Sequence, residues 1–228
     1  VTNGEFRLAY APGVTPGKWA GVWAERVREV PLRLVPAPAA DIVPLLRDGG
    51  AEAGFVRLPV DREALQVIPL YLEATVVVVP KDHAVAAVEE LELADLADED
   101  VFEPLDDVLT WDIRPGEPAF TRPGSTAEAV ELVATGAGVL LLPQSLARLH
   151  HRKDLTYRTV TDAPQSQIGL AWPGGETSDL MEELIGIVRG RTANSSRGRA
   201  PQQQPARKKP QQKPSAPKRR RQPPRRRG

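Results

Sequence analysis

Four consecutive residues, Val139 to Leu142, are all apolar; Gly136 and Gly138 precede them and Pro143 follows. A strand with one wet face alternates apolar and polar side chains. A run that is apolar at every position is expected of a strand covered on both faces, as in a parallel sheet with helices on either side. Upstream, Ser125 and Glu128 have capping-box spacing. Val130, Val133, Ala134 and Ala137 then recur at the helical period. Residues 122–149 therefore read as loop, helix, glycine turn, buried strand, proline stop and a second helix capped by Ser145. Gly136-Ala137-Gly138 is a turn and not a dinucleotide fingerprint. It follows a helix, opens a strand, and has Leu141 three positions past Gly138.

The N-terminal third has the same grammar. Phe6–Tyr10 reads as a strand. Thr15-Pro16 opens a helix, Thr15 as cap and Pro16 in the first position, with Trp19, Trp23, Val27 and Val30 on its apolar face. A strand at 32–35, a helix capped by Asp41 and ended by Gly49-Gly50, and a strand at Ala53–Leu58 follow. Short links between alternating strands and helices imply a parallel sheet. Further strands are expected at 66–70, 75–79, 101–103, Leu155–Val160 and 167–172. A short helix is expected at 91–96, and a last helix after Ser178 buries Leu180, Met181, Leu184, Ile185 and Val188. Residues 104–124, with four prolines, read mostly as loop.

The balance of 30 basic and 30 acidic residues hides a segregation of charge. Residues 191–228 hold 14 Lys or Arg and no Asp or Glu, so residues 1–190 carry the other 16 basic and all 30 acidic residues. The tail is also rich in Pro and Gln and nearly free of aliphatic side chains. It offers nothing to offset an ordering cost of roughly 1–2 kcal/mol per residue, and it reads as disordered. Its cation runs, Arg207-Lys208-Lys209, Lys218-Arg219-Arg220-Arg221 and Arg225-Arg226-Arg227, suit salt-dependent contact with DNA or RNA phosphates. A solubilising role, or a tail lying on its own acidic body, stays open. The chain has no Cys, hence no disulfide framework, thiolate metal site or Cys nucleophile. No apolar run nears the roughly 18 residues a membrane span needs, and residues 1–10 lack signal-peptide character. A cytoplasmic protein without membrane contact is the expectation.

Three segments in order resemble the effector-binding domain of LysR-type transcriptional regulators: LQVIPLYLEATVVVVPKDH from Leu65, VATGAGVLLLPQSLA from Val133, and APQSQIGLAW from Ala163. The likeness extends over about residues 5–190. It implies an α/β fold of two Rossmann-like subdomains, of periplasmic-binding-protein type 2, with a ligand cleft between them. Residues 1–80 and 163–190 would form the first subdomain, 81–162 the second, and 191–228 the basic tail. The crossings would lie near 80–84 and 162–165. It also implies a small-molecule effector and a side-by-side homodimer; no cofactor is expected. Full regulators of this type start with a winged helix-turn-helix and a linker helix, whereas this sequence starts almost at the first effector-domain strand.

Within such a cleft, two helix N-termini are visible: Gly13-Val14-Thr15 before Pro16, and Ser125-Thr126 after Gly124. Each offers free N–H groups, a hydroxyl and a positive dipole end, which suit an anionic metabolite. The alternative is that Thr15 and Ser125 only cap their own helices. Arg57 and Arg122 could each fork onto a carboxylate, or be solvated. Pro38 and Ala39 would form a wall. Of the three histidines, His83 reads as structural, and His150-His151, about 100° apart on a helix, do not converge on a metal. No nucleophile–base pair, HExxH or Walker loop is present, so neither catalysis nor a metal site is expected. A transporter's solute-binding protein, an enzyme on the same fold, or a nucleic-acid-associated protein without a ligand are the rival readings.

Overall fold

A computed structural model describes residues 4–191. The expectations for 192–228, the tail cations included, lie outside the described residues. The first elements alternate as the sequence pattern demands: β1 (Phe6–Tyr10), α1 (Gly17–Arg26), β2 (Leu32–Pro36), α2 (Ile42–Arg47) and β3 (Ala53–Leu58). β1 pairs parallel with both β2 and β3. β4 (Leu65–Glu73) and β11 (Ser166–Pro173) complete a five-stranded sheet in the order β2-β1-β3-β11-β4. β11 inserts antiparallel between β3 and β4. The expected return of 167–172 to the first sheet is thus observed. Trp23, Phe6, Phe55 and Leu8 are fully buried in its core, with Met181, Leu184 and Ile187 from α5 (Asp179–Val188). Ser178 caps α5 by accepting from Met181 N–H.

The second sheet has the order β6-β10-β5-β9, from β6 (Glu90–Leu91), β10 (Leu155–Val160), β5 (Thr75–Pro80) and β9 (Leu140–Pro143). The reason for the unbroken apolar runs is visible here. Val76, Val78, Leu140 and Leu142 enter one core with α3 (Thr126–Val133) and α4 (Gln144–Leu149). Val77, Val79, Val139 and Leu141 enter another on the opposite face, with Leu91, Leu96 and Val101. Both faces are covered, as expected, but β9 runs antiparallel to β5 and not within a parallel set. On its other side Val139 bridges in parallel to Val101 in β7 (Asp100–Val101), which pairs with β8 (Glu117–Pro118). Gly138 is needed at this approach, because a Cβ there would lie 2.5 Å from the Asp100 carbonyl oxygen. The expected helix at 91–96 shrinks to a 3-10 turn at Leu93–Leu96.

One boundary differs from the sequence reading. β5 belongs to the second sheet, so the first crossing is at Ala74 and not at 80–84. Only Ala74 separates β4 from β5, and the Pro80-Lys81 punctuation marks an ordinary turn. The second crossing, at 162–165, is where it was expected. Thr75 Oγ1 donates to Pro164 O at 2.5 Å, so the two crossings are fastened side by side.

Candidate functional site

A cavity of about 1150 Å³ lies between the two sheets, with walls from both. Gly13, Val14, Thr15, Pro38, Ala39 and Arg57 line it from the first sheet's side, Ser125 and Thr126 from the second's. These are eight of the nine residues that the sequence marked for a ligand. Arg122 is the exception: it lies outside the lining and its Nε donates to Glu103 O.

The first wall is built by a tight turn. Val14 N–H donates to Ala11 O. Gly13 has φ +85°, and a Cβ there would sit 2.5 Å from Ser145 Oγ. Both the conformation and the close approach require glycine. Pro16, not Thr15, occupies the cap position of α1, with no side-chain cap bond. A proline with helical φ takes the boundary, and the Thr15 side chain is left exposed on the cavity wall. Asp41 likewise makes no cap bond, because a 3-10 turn at Ala39–Asp41 runs into α2. Trp19 stacks on Phe55 at 4.6 Å between ring centroids and gives the wall an aromatic face.

Arg57 holds the floor. Its side chain is 4% exposed, and Nη1 donates to Glu73 Oε2 at 2.5 Å and Ser166 Oγ at 2.7 Å. Nη2 donates to Pro12 O at 3.0 Å and Ser145 Oγ at 3.1 Å, while Ser145 Oγ donates to Glu73 Oε2 at 3.0 Å. The fork expected for a ligand carboxylate is therefore closed on an internal one. Ser145 does not cap α4; it joins the second lobe to the Arg57–Glu73 pair. Tyr71 borders the same pair. Burial raises its phenol above the ordinary value, Glu73's charge adds to this, and Arg57 acts in the opposite direction.

At the second wall, Ser125 Oγ accepts from Glu128 N–H at 3.2 Å, the expected cap. Glu128 Oε2 reaches back to Gly124 N–H at 2.7 Å, one residue before the cap. Asp106 Oδ1 accepts from both Thr126 N–H at 2.6 Å and Thr126 Oγ1 at 2.8 Å. An internal carboxylate thus occupies this helix start as well. Sequence reasoning missed Lys18, Glu73, Asp106, Ser145 and Arg148, all of which line the cavity. Glu73 fell in the link between two expected strands and Asp106 in a proline-rich loop; only the three-dimensional fold brings them in. Among the described residues no cluster of three or more His, Cys, Asp or Glu could hold a metal. His83 is structural: its Nδ1 accepts from Val85 N–H and its Nε2 faces Glu99.

Residues 2–193 match the family model described as LysR substrate binding domain. The chain is 29% identical over 190 residues to a "Probable hydrogen peroxide-inducible genes activator" of Mycobacterium avium, covering 78% of this chain and 60% of that protein. It is 28% identical over 160 residues to the Hca operon transcriptional activator HcaR of Escherichia coli K12, covering 65% and 54%. It therefore spans between half and two thirds of the length of these relatives. Among solved structures, the BenM effector binding domain with its effector benzoate superposes with a TM-score of 0.71 at 19% identity, covering 83% of this chain and 92% of that one. The oxidised form of OxyR superposes with a TM-score of 0.68 at 23% identity, covering 82% and 95%. These two share the fold. Among the described residues no helix is long and apolar enough to cross a membrane.

Proposed function

The chain belongs to the LysR substrate-binding domain family, and from that premise we propose that it senses a small acidic metabolite in the cleft between its two sheets and passes that state to transcriptional control. The observation that carries this reading is the cavity itself, walled from both sheets beside the two crossings. A ligand touching both walls favours one spacing of the sheets over another, which is the differential affinity a switch requires. Lys18, Arg57 and Arg148 against Glu73 and Asp106 leave the lining one positive charge in excess, which supports an acid. Some relatives are named for hydrogen peroxide, yet this chain holds no Cys, so no thiol of its own can be oxidised.

Thermal unfolding of the full chain against a panel of metabolite acids tests the reading. At a hundred times its Kd, one ligand adds about 2.7 kcal/mol, a rise of about 5–10 °C for a domain of this size. An Ala127→Trp substitution, which narrows the cleft at its α3 wall, should remove or reduce that rise. If no acid at millimolar concentration shifts the melting temperature, the reading is wrong. The tail belongs to the same proposal as a phosphate-binding arm. Affinity of the full chain for duplex DNA should fall steeply with salt, and a chain ending at Asn194 should lose it. Equal binding by both would remove the tail from the account.

A further inference from the structure

Resting on the cleft as the effector site, we infer that the effector's acid group is read by Lys18 and Arg148, one from each side, and that the effector is an apolar monocarboxylate, aromatic or similarly flat. Two observations meet here. First, two of the cleft's anion-receiving groups, Arg57 and the start of α3, are already engaged. Arg57 spends both terminal nitrogens on Glu73, Ser166, Ser145 and Pro12 O, and the first N–H of α3 is held by Asp106. A compact dianion such as phosphate, which needs several convergent donors, finds those of Arg57 and of the α3 start taken. Second, two lining cations have no acidic partner. Among the described residues neither Lys18 nor Arg148 forms an ion pair, and both are exposed. Arg148 makes only a long contact of 3.5 Å from Nε to the Tyr157 hydroxyl.

Their placement gives them more than charge. Lys18 stands in the first turn of α1, on the five-stranded sheet's side; Arg148 stands on α4, over the four-stranded sheet. A carboxylate that meets both ties the two sides together at the mouth. The more buried part of the lining is apolar, with Val14 and Leu146 buried and Trp19 and Val108 half-buried. The indole of Trp19, already stacked on Phe55, offers a fixed face to a flat ring. Acid outward and ring inward is the orientation that leaves no buried charge unpaired.

The test is calorimetric titration of the full chain with three acids and their neutral amides: benzoate and benzamide, phenylacetate and phenylacetamide, indole-3-acetate and indole-3-acetamide. The expected result is that at least one acid binds and its amide binds about tenfold more weakly or worse, the cost of losing a charge-assisted contact. Lys18→Gln and Arg148→Gln each weaken that acid about tenfold and leave the amide unchanged, whereas Arg122→Gln changes neither. Both substituted side chains are exposed and carry no ion pair, so folding is not at stake. Equal binding of acid and amide, unchanged affinity in either Gln variant, or no binding of any of the three acids overturns the inference. Amide binding that Ala127→Trp abolishes would keep the cleft as the site while removing the acid from it.

Discussion

Glu73→Gln is the substitution whose cost follows most directly from the geometry. The Arg57 and Glu73 side chains are 4% and 9% exposed and meet at 2.5 Å. Glutamine keeps the volume and an acceptor oxygen but removes the counter-charge. The guanidinium is then left among neutral oxygens of Ser166, Ser145 and Pro12, with Nε already lacking a partner. Breaking a buried pair from one side costs about 3–5 kcal/mol, because the remaining charge stays desolvated. At about 2–4 °C per kcal/mol for a domain of this length, the melting temperature should fall by about 6–20 °C. Calorimetric unfolding and urea titration of the full chain would measure it. Replacing the pair together, Arg57→Met with Glu73→Leu, removes both charges and should recover more than half of the loss. If Glu73→Gln costs less than about 1 kcal/mol, or the double variant is no better than the single, the pair is not desolvated and the argument fails.

Gly13→Ala forces a side chain into a left-handed conformation and against Ser145 Oγ at 2.5 Å; a loss of about 2–4 kcal/mol is expected in chemical denaturation. Ser178→Ala removes the α5 cap bond to Met181 N–H and should cost about 1 kcal/mol in the same assay. At Glu52, burial pushes the carboxyl up, but hydrogen bonds from the Arg7 side chain and backbone, with its charge, prevail and hold it below its ordinary 4.5. A lowered carboxyl stabilises above the unfolded value and loses that contribution as pH falls through the folded one. The stability advantage of the native chain over Glu52→Gln should therefore be full at pH 7 and shrink steadily below pH 4.5, and a constant difference would contradict it. Asp106→Asn raises the lining's net charge by one, and tighter binding of acid probes in titration is the expected outcome.

Local chemistry made much of this fold legible. β1, β3 and β10 fall where alternation or apolar runs placed them, and Ser125 and Ser178 cap the helices their spacing announced. Eight cleft residues followed from helix starts, a strand end and the family likeness. What the sequence concealed was long-range. Ser145 sits where a helix cap belongs, yet its hydroxyl is claimed by Arg57, 88 residues away, and by Glu73, 72 away. Asp106 reaches Thr126 across 20 residues. No periodicity encodes such pairings, because they depend on how two sheets meet. The crossing was misplaced for a related reason. A proline ordinarily ends a strand, but the change of sheet occurs at Ala74, a residue with no turn chemistry of its own.

The insertion of β11 between β3 and β4 also sets an order on synthesis. All four strands of the second sheet, from Thr75 to Val160, have emerged before Ser166, whereas the first sheet lacks its inner strand until Pro173. At roughly 5–20 residues per second on the ribosome, the edge of β3 that receives β11 waits about 5–20 s after β4 is made. Of the two lobes, the one whose strands are made first is therefore the one that finishes last. A nascent chain cut short before β11 presents a complete second lobe beside an open, hydrogen-bond-hungry strand edge, the kind of surface that chaperones hold and that aggregation exploits.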